Sequence, residues 1–500
     1  MKKKFTRIAA VILSTVIAAT SSVTAFAERG SYTYNYDYWE DVQDGPDFYS
    51  VSAVLTATDV GLETNFKSPQ GLYVHDNMIY VLDSGNNRIV ELERVSQEKL
   101  KVSRIIDSFK GSVENKTFSN PTDMAISDEG NIFIADKGNA RILKLDSDLN
   151  YIQEFTKPDD STLDADLVFQ PNKLVIDTAE RVYCIATGIN KGLVKYEADG
   201  TFSGFVGATP AIYDFYQYIW KKFASQEQRA LMESFVPTEY DNIYMDYEGF
   251  IYTVTGTGED ADFRDGSIDA VRKLNLLGDD ILVRNGDYDI YGDLYMGTGG
   301  GYTGHSVFSD ITVLENDIYI ACDKNRGRLF AYNDQGQLVF AMGGNGNMDG
   351  YFRSLVGIDH IGHDLFVVDS LDCAITIFTP TEYGELVYRA IEQFDEGDYT
   401  ASGESWEQVM ALNGNYDLAY IGIGRSLLRQ KKYGEAMEYF ELKYDDENYS
   451  KAYKQYRKEW VEDHIVVIVI VILALFLVPL SIGKVKSVKH EIDTADIFRL

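Results

Sequence analysis

Short runs of β-branched and aromatic residues, each closed by Gly, Asn or Asp, recur between residues 60 and 380 and predict strands joined by tight turns. One phrase returns. "MIYVLDSGNNRIVELE" (78–93) is matched almost position for position by "NIFIADKGNARILKLD" (131–146). "DIYIACDKNRGRLFAYN" (317–333) is a third copy with one extra residue, and "DLFVVDSLDCAITIFT" (364–379) a looser fourth. "RVYCIATGINKGLVKYE" (181–197) and "GFIYTVTG" (249–256) keep the strand but lack the acid. The aromatic positions Tyr80, Phe133, Tyr183, Tyr252, Tyr319 and Phe366 form a ladder with spacings of 53, 50, 69, 67 and 47 residues.

A second element precedes most copies: an aromatic residue, often a proline, then an apolar strand, as in "FKSPQGLYV" (66–74), "FSNPTDMAI" (118–126), "FQPNKLVI" (169–176) and "FVPTEYDNIYM" (235–245). Another strand follows, such as "YIQEF" (151–155) or "QLVFAM" (337–342). Four-strand units at a near-fixed period predict a β-propeller, and six units predict six blades over 59–384. The last unit lacks an outer strand, whereas "YSVSAVLTA" (49–57) is a spare strand upstream. It is expected to complete blade six and remove an exposed edge. "SYTYNYDYW" (31–39), with tyrosine at every second position, is expected to form a sticky strand face or an aromatic arm; the whole leading segment is 28–58.

The recurring polar cluster reads as scaffold. Asp83/Arg88, Asp136/Arg141 and Asp323/Arg328 share one spacing, so each acid can accept turn amides and pair with its arginine, while Gly or Asn takes positive φ. The phrase, apolar-Tyr-Val-x-Asp, a turn with Asn, then Arg-Ile, resembles the NHL-repeat propellers over roughly 60–380.

Two long spacings imply inserts. Residues 207–235 read as two helices, with Ser225 as N-cap, Gln228 three residues on, and Phe215, Ile219 and Phe223 on one face. Residues 285–306 are glycine-rich and read as flexible. Inserts of repeat proteins gather on one face, so Trp220, Phe223, Tyr302 and His305 are taken as a lid or partner surface. The glycines of 297–304 lack the Gly-Lys-Ser/Thr ending of a phosphate loop. "EDADFRDG" (259–266) and "NGNMDG" (345–350) lack the twelfth-position glutamate of a calcium loop and read as turns.

Beyond residue 385 the period becomes helical. Tyr399 and Tyr433 are 34 residues apart, as are Ala390 and Gly424, and Trp406 and Phe440; Ala436 adds a further small residue. Small residues at helix contacts with a large one filling the gap resemble the tetratricopeptide repeat, over 385–463, with 448–460 as the capping helix. The predicted class is mainly β with α: a six-bladed propeller, a small helical array and a single transmembrane helix.

The two ends carry targeting signals. Residues 1–27 pair a basic start (Lys2, Lys3, Lys4, Arg7) with an apolar run and "AFA", the pattern of a cleaved secretory signal. Ile465 to Gly483 contains no charge, and nineteen residues at ~1.5 Å each span about one hydrocarbon core. A membrane helix at 464–483 followed at once by Lys484, Lys486 and Lys489 predicts an extracellular bulk and a cytoplasmic tail, 484–500. The chain carries −32; removing +4 for the leader and +1 for the tail leaves −37 outside, which argues against nucleic acid and anionic lipid as partners. Three scattered cysteines, Cys184, Cys322 and Cys373, are not a disulfide framework.

Enzymatic six-bladed propellers of the lactonase and lyase type imply a channel metal held by acidic, Asn or His ligands. Gln70 stands where that resemblance implies an acid, and His75, His360 and His363 are expected in turns away from the channel. The reading is therefore a non-enzymatic binding or scaffold protein with no cofactor and no metal. The order of propeller, tetratricopeptide array and membrane helix resembles Gram-positive surface proteins found beside ABC transporters, which implies an accessory or sensing partner of such a system. A propeller lactonase or lyase acting outside the cell and a glycan or wall adhesin are the alternatives.

Overall fold

The computed structural model describes residues 32–164, 166–208, 239–298 and 302–497. The leader and most of the first insert, including Trp220 and Phe223, lie outside the described residues. These divide into two compact units, one running to Tyr388 with Leu412–Tyr416, the other comprising Arg389–Ala411 and the chain from Asp417 onward.

The first unit is a six-bladed propeller of antiparallel sheets. Blade one is Gly71–His75, Met78–Asp83, Arg88–Ser96 and Lys99–Ile106, from axis to rim. Blades two and three repeat this with Pro121–Ile126 to Tyr151–Phe155 and Pro171–Ile176 to Phe202–Val206. Blade four has three strands, Asn242–Met245, Ile251–Val254 and Val271–Leu274, followed only by an isolated bridge from Leu274 to Asp280. Blade five begins at Phe308–Val313 and blade six at Leu355–Ile361.

Two blades borrow from the N-terminal segment. Tyr49–Thr56 pairs with Ala374–Pro380 as the fourth strand of blade six. Thr33–Tyr36 pairs with Leu338–Gly343, and Val42–Asp44 pairs back on it, so blade five has six strands. The tyrosine-rich segment is thus an ordered strand of that sheet, with Tyr34 and Tyr36 buried.

The core lies between blades. Alternate residues of a strand face opposite sides, so in blade two Ile132 and Ile134 pack toward blade one while Phe133 and Ala135 pack toward blade three. With a neighbour on each side, the second strands are apolar at both parities, as fully buried strands are. All six aromatic ladder positions are buried there. Cys184 and Cys322 are buried, Cys373 is half-buried, and all three are free thiols.

The second unit is helical. Within it Tyr399–Leu412, Asp417–Arg429 and Tyr433–Leu442 precede a helix of 52 residues, Asp446–Ile497. Gly422 and Gly424 admit their neighbours: a Cβ on Gly422 would lie 2.4 Å from the Trp406 ring, and one on Gly424 2.6 Å from Phe440. Ala390, Ala436 and Phe440 are fully buried, and the Ser402 hydroxyl donates to the Ala390 carbonyl at 2.7 Å. The long helix carries the 465–483 run and is the one helix among the described residues long and apolar enough to cross a membrane.

Candidate functional site

The innermost strands of all six blades surround an axial cavity of about 190 Å³. Register defines equivalent positions along them. Asp123, Lys173, Asp310 and Gly357 each follow a bulge and pair with the residue before the blade's turn position. Gly71 and Asn242 hold the same register in blades one and four. A bulge's extra residue re-aims a side chain; with four bulges and two regular strands, six equivalent residues, Gly71, Asp123, Lys173, Asn242, Asp310 and Gly357, stand around one level of the axis. Two residues further along stand Tyr73, Ala125, Val175, Tyr244, Thr312 and Asp359.

The axial carboxylates bind backbone. Asp123 accepts the N–H of Leu174 at 2.8 Å, joining blades two and three. Asp310 accepts the N–H of Ile358 at 2.7 Å, joining five and six, and its other oxygen accepts Ile311 N–H at 2.9 Å and the Asn242 amide from blade four. Asp359 accepts Val74 N–H at 2.7 Å and the Thr312 hydroxyl at 3.2 Å, joining six to one and five. Burial disfavours the charged form: it pushes Asp123 up, and Asp310 up to about 7, against the opposing field of Lys173.

Lys173 is the cation of this level, and only 7% exposed. Its ammonium makes no hydrogen bond or ion pair within 4.0 Å among the described residues. It reaches across to blade one, where a Cβ built on Gly71 would lie 3.6 Å from Nζ. Lys137, in the turn of blade two, donates to Asn172 Oδ1 at 2.8 Å, and burial together with the charge of Lys173 lowers its pKa.

Beyond the far end of the channel the inner hairpin turns of blades two to four line a wider hollow of about 570 Å³, including Asp128, Glu129, Asp177, Glu180 and Glu248. Asp246, Glu248 and Asp317 converge within 4.8 Å, the one carboxylate or imidazole trio to do so among the described residues. The Lys273 ammonium sits 3.4 Å from Asp246 and 3.7 Å from Asp317 and already supplies positive charge there.

The repeated turn residues occupy the opposite ends of the inner hairpins. Asp83 accepts Arg88 Nε at 2.6 Å, Asn86 Nδ2 at 2.8 Å and Lys67 N–H at 2.7 Å. Asp136 makes the same set with Arg141, Asn139 and Ser119. Blade five departs from it. Asp323 and Arg328 keep the backbone pairing, but Arg328 turns to Asp293 and the Tyr34 hydroxyl, and Asp323 accepts the N–H groups of Val307, Asn325 and Arg326. The cause is Asp293, which the insert delivers to this spot and which also takes Arg326 Nε at 3.3 Å.

The remaining expectations divide. Asp293, Ile290 and Met296 are buried, so the described part of the 285–306 insert is packed against blade five rather than flexible. His305 is not a surface residue: it is buried, its ring bonds Asp260 at 2.9 Å and Gly256 O at 3.0 Å, and it stacks on Phe263. Tyr302 is half-buried over the Arg326 guanidinium. Asp260–Arg264 is a short helix with a Glu259/Asp262 capping box rather than a turn. His75 and His360 lie on inner strands, and His360 bonds the Thr312 hydroxyl at 2.8 Å, whereas His363 stacks on Tyr388. The channel group itself escaped sequence reading, although one signal was present: a charged or amide residue, Asp123, Lys173, Asn242 or Asp310, at the same register of four inner strands.

Comparison with known proteins bears on fold. Residues 118–145 match the NHL repeat family. No curated protein sequence matches the chain. Similar solved structures include a streptogramin B lyase (10% identity, TM-score 0.37, covering 66% of this chain and 97% of that one). Others are virginiamycin B lyase from Staphylococcus aureus (11%, 0.38, 65% and 98%) and a gluconolactonase from Xanthomonas campestris (8%, 0.38, 65% and 92%). None is similar enough to lend this chain its activity. The chain contains an NHL repeat within a six-bladed β-propeller, followed by a helical region with one candidate membrane helix.

Proposed function

We propose that the protein is a membrane-anchored extracytoplasmic binding protein, with the propeller as its recognition module, the helical region as a tetratricopeptide-type array, and a partner role in an ABC-type transport system. The observation that carries the binding reading is the use made of the axial carboxylates. Asp123, Asp310 and Asp359 each hold the backbone of a neighbouring blade, so part of the acceptor capacity of the acids facing the channel is spent in joining blades. Support for the helical array comes from Gly424 against Phe440 and from buried Ala390 and Ala436.

The test is affinity capture of the full-length chain from detergent-solubilised membranes of its own host. Co-recovery of transporter subunits in fixed stoichiometry is the expected result; recovery of the chain alone sinks the transporter role. A parallel panel of lactones and esters, with and without added divalent cation, should show no turnover, and saturable hydrolysis would reinstate an enzyme.

A further inference from the structure

We propose that the axial channel binds a small carboxylate bearing an α-amino or α-hydroxyl group, its carboxylate on Lys173 and its α donor on Asp123. This deepens the binding-protein reading and rests on it only in taking the propeller as the recognition module.

Lys173 is a donor without a protein acceptor among the described residues at the channel axis. An ammonium offers three N–H groups, and those of Lys173, without such an acceptor, are open to the cavity, where water or a ligand oxygen can take them. Lys173 is 7% exposed, yet neither carboxylate of its own level comes within 4.0 Å of it. Its tip lies beside the axial cavity, in a sector where blade one presents Gly71 and no side chain. An acceptor supplied from the cavity would complete it.

Charge selects the class of that acceptor. Lys137 stands close enough to Lys173 for the two to repel, which favours an anionic group near the pair. Asp123 and Asp310 oppose a ligand of high negative charge on the other flank. Asp123 spends one oxygen on Leu174, and each carboxylate oxygen has lone pairs for two donors. One negative group toward Lys173 with an adjacent donor toward Asp123 satisfies both flanks. A dianionic phosphate does not.

Size limits the rest. A cavity of about 190 Å³ corresponds to roughly six waters at ~30 Å³ each, so the ligand is small. At the next level Ala125 and Val175 give one side of the wall an apolar character, suited to a short aliphatic substituent, while Tyr73, Tyr244 and Asp359 line the rest.

The test is calorimetric titration of the full-length chain in detergent with L-alanine, L-lactate, propionate and inorganic phosphate. Alanine, lactate or both should bind at one per chain, the two arms showing which α donor is used. Propionate should bind about tenfold more weakly or worse for lack of one charge-assisted hydrogen bond, and phosphate not at all. Lys173→Met should abolish binding while the far-UV circular dichroism stays unchanged. Should that variant not fold, protection of Lys173 from reductive methylation by the bound probe, read by mass spectrometry on the wild-type chain, answers the same question. Binding that survives Lys173→Met, propionate binding as tightly as alanine and lactate, or no binding and no protection by any probe would each overturn the proposal. Transporter capture is read separately, so a failed titration with successful capture removes the ligand and leaves the partner role standing.

Discussion

Asp310 is the residue on which burial weighs most visibly. Its carboxyl is raised from an ordinary 3.8 to about 7 because the axis strips it of water, with Lys173 only partly offsetting this. A raised acid binds its proton more tightly when folded than when unfolded, so its contribution to stability falls as pH rises from about 4 through about 7 and is then constant. Thermal unfolding of the wild type is expected to show this component, with a lower Tm at pH 8 than at pH 5.5. Asp310→Asn should shrink the difference, and an unchanged slope would assign it elsewhere. The repeated turn makes a different residue-scale prediction. Asn87 and Ala140 occupy the same turn position with φ of 54° and 57°. Asparagine tolerates the left-handed region, whereas alanine there costs about 1 kcal/mol, so Ala140→Gly should raise stability by up to that amount in a denaturant titration. Asp293 predicts the opposite sign. It faces Arg328 and the fully buried Arg326, so Asp293→Ala should cost about 3–5 kcal/mol by stranding a buried charge. The Asp/Arg spacing was legible because two copies keep it with nothing else nearby. It misled in the third because Asp293, thirty residues upstream, competes for the same arginine, and no local pattern announces that.

Strands and turns were legible as elements because each blade restates the same problem. A strand buried between two neighbours must be apolar on both sides, a hairpin must turn on Gly, Asn or Asp, and six restatements leave little doubt about the unit. Pairings that depend on distant sequence were not legible in the same way. Nothing in "TYNY" says that it joins the edge of a strand some 300 residues later, because any open edge offers the same row of N–H and C=O groups. The short blade four is another such case, since its expected outer strand is replaced by a single bridge. The closure of blade six gives a prediction at this scale. Tyr49–Thr56 supplies its fourth strand, and the Tyr49 hydroxyl donates to the His363 carbonyl at 2.9 Å and accepts from the Tyr388 hydroxyl at 2.7 Å. Removing residues up to Thr56 strips this strand and the two outer strands of blade five, and should expose Ala374–Pro380 to limited proteolysis at temperatures where the intact propeller resists. In the helical unit, Gly424→Val should drive a side chain into the Phe440 ring. A loss of about 1–3 kcal/mol is expected for such overpacking, read as a lower helical-unit transition with the propeller transition unmoved.

At the scale of the whole molecule the chemistry of the chain separates sharply, and that separation argues for where each part resides. The propeller and helical segments carry −37 of a net −32, the rest of the chain being positive, whereas Ile465–Gly483 carries no charge and is followed within six residues by three lysines. In water, the side chains of that stretch of helix would stand exposed with no partner surface among the described residues, since none of the span is buried against them. A hydrocarbon phase removes the penalty, and nineteen residues at ~1.5 Å each are long enough for it. Pro479 lies inside the helix and removes one backbone donor, which membrane helices tolerate when local adjustments re-satisfy the freed carbonyl. The proposed orientation rests on the lysines, because positive flanks are generally retained on the cytoplasmic side. Two measurements examine this reading. A chain ending at Asp463 should leave the membrane fraction and keep the blade-closure and channel properties predicted above. Replacing Lys484, Lys486 and Lys489 together by Gln should weaken the orientation signal, so that cysteines placed in the tail become partly accessible to an impermeant thiol reagent on intact cells. Full inaccessibility of the tail in that variant would shift the determinant to the N-terminal leader. Inaccessibility of a cysteine placed on an exposed propeller turn, such as Asp128→Cys, would refute an extracellular propeller altogether.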